Sequence, residues 1–290
     1  MLIARLIADT ATRETRLDAL AVALRAEGVA LATADVLADN EVLELRFAES
    51  DPHTVLAAID RIFAPADMLV SREAIDVPQV FVSDMDSTMI GQECIDELAD
   101  YAGLKPQIAE ITERAMQGEL DFVAALRERV ALLEGLEESA ISDCLNDRIT
   151  ATPGARTLVA TLSALGARTV LVTGGFHHFA DPVGAMLGFD RVVGNRLEVT
   201  GGKLTGGLLG TITDSAAKAA VLREEASDGR VSLATGDGAN DIPMIEAATY
   251  GFAYRAKPKA RDAANGRIDR GDLTAVLSLL GIPKADWRAG

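Results

Sequence analysis

Between residues 79 and 254 the chain alternates short apolar runs with longer helical stretches, and this alternation limits the fold more than any other feature. The strand-like runs lie at 79–83, 168–173, 190–194, 231–235 and 250–254. Strands separated by helices pair in parallel rather than as hairpins, so the pattern predicts an α/β unit with a parallel sheet. One stretch breaks the rhythm. Residues 92–150 read as four helices, 94–102, 106–117, 121–133 and 138–149, with no strand between them. An insertion directly after the first strand would stand over the carboxyl ends of the strands, where open α/β sheets bind ligands. Residues 195–211, with Val199-Thr200-Gly201-Gly202-Lys203-Leu204, read as a β-hairpin.

Ahead of Val77-Pro78 the pattern is different. Residues 2–8 are strand-like, and 15–27 have helical spacing through Leu17, Leu20 and Leu24. Strand candidates at 29–37 and 41–47 meet at Asp39-Asn40, a turn signal. Pro52 opens a second helix with Val55, Leu56, Ile59 and Phe63 on one face, and 68–71 closes the unit. The order βαββαβ predicts an α+β ferredoxin-like sandwich over 1–75, separate from 78–290. It is similar to ACT regulatory domains; a packing or dimerisation module without a ligand is the competing expectation.

The chemistry starts at residues 80–88, where Val-Phe-Val-Ser delivers Asp84-Met85-Asp86-Ser87-Thr88. Two acids at the end of a buried strand are costly unless a cation or a reaction uses them. The pair offers a nucleophilic carboxylate and a second carboxyl for proton transfer, and the Met85 carbonyl between them is expected to be free for a metal. Thr173-Gly174-Gly175 ends another strand with a hydroxyl and open backbone N–H groups, a combination suited to phosphate oxygens. Lys218 lies in the helical stretch 215–225 among alanines, where a lone lysine is ordinarily a solvated surface residue. Gly236-Asp237-Gly238-Ala239-Asn240-Asp241 crowds acids and an amide at a strand end, as a hard cation requires. There is no EF-hand, P-loop, dinucleotide fingerprint or serine-hydrolase elbow.

The formal charge of −16 argues against nucleic-acid partners and anionic membranes, which need a basic footprint. Cys94 and Cys144 lie in no metal or redox spacing and read as buried thiols of a reducing compartment. The start, Met-Leu-Ile-Ala-Arg-Leu-Ile, is interrupted too soon for a signal peptide, and no run approaches about 18 apolar residues. A cytoplasmic protein is expected.

Taken together, Asp84-Met85-Asp86-Ser87-Thr88, Thr173-Gly174-Gly175, Lys218 and the 236–241 segment resemble the four ordered motifs of the haloacid dehalogenase superfamily. Residues 78–285 further resemble its phosphoserine phosphatase family, through Gly91-Gln92-Glu93, Met116, Phe122, Arg129, Gly174-Gly175-Phe176 and Leu204-Thr205-Gly206. Thr173 stands where many members have Ser, and the hydroxyl is kept. The resemblance implies a Rossmann-like core (78–91 and 151–290) with a helical cap (92–150). It implies Mg²⁺-dependent hydrolysis of L-phosphoserine, the last step of serine biosynthesis. Asp84 would be the nucleophile and Asp86 the acid/base, not a direct metal ligand. Mg²⁺ would be held by Asp84, the Met85 carbonyl and Asp237, with Asp241 behind them. Thr173, Gly174, Lys218 and Asn240 would grip the phosphate. Glu93 would meet the substrate amine and Arg129 its carboxylate, with Met116 and Phe122 closing the site. L-serine is a candidate effector of residues 1–75, and a homodimer through them a candidate assembly. Two other readings stay open. One is a phosphatase or phosphotransferase for another small phosphate ester; the other is a serine-sensing protein with a vestigial phosphatase domain.

Overall fold

The computed structural model describes residues 1–37, 42–48, 50–116 and 119–290, without the side chains of Ala115 and Met116. The Asp39-Asn40 turn signal, the end of the predicted 106–117 helix and the Met116 side chain lie outside the described residues.

The amino-terminal stretch runs β1 (Leu2–Ile7), α1 (Arg13–Ala26), β2 (Leu31–Leu37), β3 (Val42–Phe47), α2 (Pro52–Phe63) and β4 (Asp67–Ser71). α2 shows how its sequence sets its position. The Asp51 carboxylate accepts the Thr54 N–H at 2.9 Å, Pro52 supplies the first turn, and Val55, Leu56, Ile59 and Phe63 are buried. They join Leu2, Leu6, Leu20, Leu24, Leu45 and Phe47 in an apolar core belonging to this stretch. The strands pair antiparallel in the order β2-β3-β1-β4.

The remainder begins with β5 (Val80–Ser83), then α3 (Cys94–Tyr101), α4 (Lys105–Met116), α5 (Phe122–Ala131), α6 (Ser139–Arg148) and α7 (Ala155–Ala164). β6 (Arg168–Phe176), α8 (His177–Leu187), β7 (Arg191–Thr200), β8 (Lys203–Leu209) and α9 (Ser215–Glu225) follow. The chain ends with β9 (Ser232–Gly236), α10 (Ile242–Ala247), β10 (Tyr250–Tyr254), α11 (Pro258–Ala263), β11 (Gly266–Ile268) and α12 (Thr274–Leu280). Strands β11-β10-β9-β5-β6-β7 are parallel, and β8 folds back antiparallel on β7. This is a Rossmann-like α/β fold within a mixed sheet.

β5 is central and buried on both faces. Val80 and Val82 pack with Val170, Val172, Val221 and Met244 on one side, while Phe81 joins the larger cluster with Leu158, Phe179 and Leu187 on the other. Its neighbours β6 and β9 belong to opposite halves of the sheet, so β5 ends at the switch point where such folds open a crevice.

The sheet does not stop at the boundary near residue 78. β4 pairs antiparallel with β11, Leu69 opposite Gly266 and Met68 opposite Arg267, making one sheet of 11 strands. The sequence reading contains no strand at 266–268, because a three-residue segment of Gly-Arg-Ile has neither period nor length to signal one. Two other differences are small. β7 runs unbroken into the hairpin, and β6 extends through Gly174 and Gly175 to Phe176.

Candidate active site

Asp84 is the first residue beyond β5, and its N–H donates to the Thr235 carbonyl on β9 at 2.9 Å. Just before it, the Ser83 and Thr235 hydroxyls lie 2.6 Å apart. The chain then turns sharply. The N–H groups of Met89, Ile90 and Thr88 donate to the Met85 carbonyl at 2.8, 3.0 and 3.3 Å. This corrects the expectation for Met85. A carbonyl has two lone pairs, and this one is taken up by backbone donors, so it is not available to a metal. The turn is made by backbone groups, which left no mark in the side-chain pattern.

Asp84, Asp237 and Asp241 each bring a carboxylate oxygen within 4.8 Å of the other two. The Lys218 ammonium, on α9, lies 2.7 Å from Asp84 Oδ1 and 2.8 Å from Asp241 Oδ1, with only 1% of the side chain exposed. The Met85 N–H also donates to Asp84 Oδ1, at 2.7 Å, so Oδ2 takes neither contact. Asp241 Oδ2 accepts the N–H groups of Asp237 and Gly238 at 3.2 and 3.0 Å. Both Asp241 oxygens are therefore engaged in shaping the loop. Gly236 permits this, since a Cβ there would meet Asp241 Cγ at 2.5 Å.

The charges are out of balance. Burial and then the Asp241 charge push the Asp84 carboxyl well up, against the pull of Lys218. Burial and Asp241 raise Asp237 as well. For Lys218, burial opposes the charge, but Asp84 and Asp241 outweigh it and hold the ammonium above its usual value. Three buried carboxylates against one ammonium, with oxygen donors only, make a donor set that suits a hard divalent cation.

Asp86 is held differently. The Cys94 N–H donates to its Oδ1 at 2.9 Å and the Thr173 hydroxyl to its Oδ2 at 3.2 Å. The Gly175 N–H in turn donates to the Thr173 hydroxyl at 2.8 Å. A Cβ at Gly175 would stand 2.9 Å from Asp86 Oδ2, so the glycine lets the strand end approach the acid. Burial raises the Asp86 carboxyl, favouring the protonated form.

These groups open into a cavity of about 360 Å³ lined by Asp84, Asp86, Thr173, Gly174, Asp237 and Asn240 below and Glu93, Phe122 and Arg129 above. Glu93 accepts the Ser87 hydroxyl at 2.8 Å, with Ser87 in a left-handed conformation at φ 52°. Although part of Glu93 reaches solvent, the surrounding protein and then Asp86 push its carboxyl up to about 7. Burial pulls the Arg129 guanidinium down, against the charges of Asp96 and Glu93. The Phe122 ring reaches across to Gly174, where a Cβ would meet its Cζ at 3.2 Å.

The haloacid dehalogenase-like hydrolase family matches residues 81–246, from β5 into α10. The chain belongs to the haloacid dehalogenase-like hydrolase family. A phosphoserine phosphatase of Streptomyces coelicolor is 44% identical over 215 residues, 73% of this chain and 52% of that protein. A phosphoserine phosphatase of Lactococcus lactis is 43% identical over 205 residues, 69% of this chain and 94% of that one. The chain thus spans about half the length of the Streptomyces relative and nearly all of the Lactococcus one. A HAD family hydrolase structure from Salmonella enterica serovar Typhi superposes with a TM-score of 0.82 at 27% identity, covering 97% of this chain and 99% of that one.

In this haloacid dehalogenase-like hydrolase, sequence reasoning missed two residues that shape the site. Lys257, at the mouth of the cavity, has its Nζ 3.8 Å from Asp237 Oδ2. Its signal, a single lysine before a helix-opening proline, is indistinguishable from an ordinary surface position. Asn195 is buried and braces the end of β6, donating to the Gly174 carbonyl at 2.7 Å and accepting the Thr213 N–H at 2.8 Å. Its burial, which makes its hydrogen bonds necessary, shows only in the fold and leaves no sequence signal. The hairpin itself supports the upper wall. Gly206, at φ 78°, comes so close to α5 that a Cβ would meet Ala131 Cα at 3.2 Å.

Proposed function

We propose that this chain is a Mg²⁺-dependent phosphoserine phosphatase working through an aspartyl-phosphate. The observation that carries the reading is one cavity holding two sets of groups. Asp84, Asp86 and Thr173 lie at its floor, with Lys218 behind Asp84, while Glu93 and Arg129 form an acid–base pair in its wall. The first set suits phosphoryl transfer, and the second matches a substrate bearing both an amine and a carboxylate. The phosphoserine phosphatases among its relatives support the same substrate.

Asp84 attacks phosphorus in line, its phosphorus–oxygen bond forming as the bond to the serine oxygen breaks. Asp86, entering this step in the protonated form that its surroundings favour, gives that oxygen its proton. A water then enters from the same side as the departed serine. Asp86 takes its proton, the water oxygen bonds to phosphorus, and the Asp84 carboxylate is released. Lys218 offsets charge on Asp84, while the Thr173 hydroxyl, the Gly174 N–H and Asn240 contact phosphoryl oxygens. Asp84 and Asp237 would hold the Mg²⁺, with Asp241 fixing their loop. When bound, the cation neutralises the repulsion between carboxylate and phosphoryl group. Glu93 receives the substrate ammonium and Arg129 its carboxylate, while Phe122 excludes water.

The test is phosphate release from L-phosphoserine, phosphothreonine and simple phosphomonoesters, with and without Mg²⁺. Strong preference for L-phosphoserine is expected. Equal rates on all three would defeat the substrate assignment.

We also infer two domains, an ACT-like unit (1–75) and the phosphatase (78–290, with 92–150 as its cap), with the first binding L-serine or a second copy of the chain. The βαββαβ order and separate apolar core support it. Serine inhibition that persists unchanged after residues 1–75 are deleted, in a truncated protein that still folds, would defeat the effector role. A cytoplasmic setting accords with two free cysteines and with no membrane-spanning helix among the described residues.

A further inference from the structure

α11 is six residues long and runs from the active-site loop to the seam with the amino-terminal unit. At its start, the Lys257 N–H donates to the Asp237 carbonyl at 2.9 Å, and α11 packs against the turn 239–241. One turn later the Arg261 N–H donates to the Lys257 carbonyl at 3.0 Å. The Arg261 guanidinium is gripped by Asp60 of α2, Nη1 to Oδ2 at 2.8 Å and Nη2 to Oδ1 at 2.6 Å. Asp269 accepts from its Nε and Nη2 at 3.0 and 2.6 Å. Arg267 closes the cluster, donating to Asp60 Oδ2 at 3.2 Å and to the Arg261 carbonyl at 3.0 Å.

We infer that Asp60 is a positioning residue for the cation-binding loop: through Arg261 and α11 it holds Asp237 in place, so the amino-terminal unit sets the divalent-cation affinity of the active site. The inference rests on the Mg²⁺ reading above. A helix this short is not stable alone, so its place depends on its packing against α10 and β10 and on what grips its two ends. At one end is the Asp237 carbonyl. At the other is a two-point guanidinium–carboxylate contact, which fixes direction as well as distance. Asp60, Arg261, Arg267 and Asp269 all lie outside the cavity lining, so none of them touches the proposed substrate.

The test compares Asp60→Ala and Asp60→Asn with Asp51→Ala, which removes the N-terminal cap of the same helix but leaves the Arg261 contact in place. Mg²⁺ is titrated calorimetrically into each full-length protein, with circular dichroism checking the fold. Asp60→Ala is expected to weaken Mg²⁺ binding about five- to tenfold, Asp60→Asn less in the same direction, and Asp51→Ala not at all. Coupling is reciprocal, so Mg²⁺ should slow amide exchange across residues 52–63 in the wild type and not in Asp60→Ala. If Asp60→Ala fails to fold, Arg261→Lys carries the same expectation, because it keeps the charge and loses the fork. Wild-type Mg²⁺ affinity in the folded Asp60 or Arg261 variants, or an equal loss in Asp51→Ala, overturns the inference. A wild type that binds no Mg²⁺ overturns the Mg²⁺ reading with it.

Discussion

At the seam, Asp60 faces Arg261 and Arg267, and the Arg261 hydrogen bonds hold its carboxyl below the usual range. At the end of β5, Asp84 faces one lysine and two further acids, and burial with the Asp241 charge pushes it up. Both clusters combine aspartates with cationic side chains at hydrogen-bond distance. The seam carries its own counter-charges and is complete as built. The catalytic cluster carries surplus negative charge, which a cation and then a phosphoryl group would use. Stored repulsion of this kind is tolerated where a site must bind and react, whereas a junction gains nothing from it.

The largest effect that would test the contrast is at Asp84. Asp84→Asn is expected to lower phosphate release about 10⁴-fold or more, since it removes the proposed nucleophile. The same change relieves repulsion, so without Mg²⁺ the variant should melt higher than the wild type. A lower melting temperature would mean that the cluster is as well balanced as the seam. Next, Lys218→Met should cost roughly 10²- to 10³-fold in kcat, read at saturating Mg²⁺.

Arg129→Ala separates the proposed substrate-recognising wall of the cavity from its proposed reacting floor. It should lower kcat/KM for phosphoserine about 30- to 100-fold and change that for an aryl phosphate little. Equal losses on both substrates would remove its carboxylate role. Glu93 supplies a pH dependence. Its carboxyl, raised to about 7, is mostly protonated below that pH and ionised above it, and only the ionised form attracts the substrate ammonium. The ratio of kcat/KM on phosphoserine to that on the aryl phosphate should therefore rise through pH 7. Glu93→Gln should lower the ratio and flatten its slope. The smallest catalytic effect belongs to the seam: Arg261→Met should cost about 1–2 kcal/mol of stability by denaturant unfolding, with kcat at saturating Mg²⁺ within about twofold.

The floor of the site was legible because its residues are contiguous in sequence at strand ends. Asp84 and Asp86, Thr173 to Gly175, and Asp237 to Asp241 each announce themselves as a cluster. Lys218 was legible only through its place among the other motifs, since by itself it resembles any surface lysine. Lys257 and Asn195 were not legible, because each acts through a contact with a residue distant in the chain.

The sequence by itself determined the alternation of strands and helices as far as residue 254, the four-helix insertion and the residue types at the strand ends, because these follow from local periodicity and from the expense of burying acids. Tertiary structure decided three further matters. It turned the Met85 carbonyl into the acceptor of a tight turn. It brought Glu93, just ahead of α3, and Arg129 of α5 into one cavity. It also joined β4 to β11, so that an amino-terminal unit with its own core shares one sheet with the hydrolase. Cavity walls and sheet edges are settled by which distant segments meet, while the Met85 turn is closed by backbone N–H groups at 88–90 that the side-chain pattern does not record.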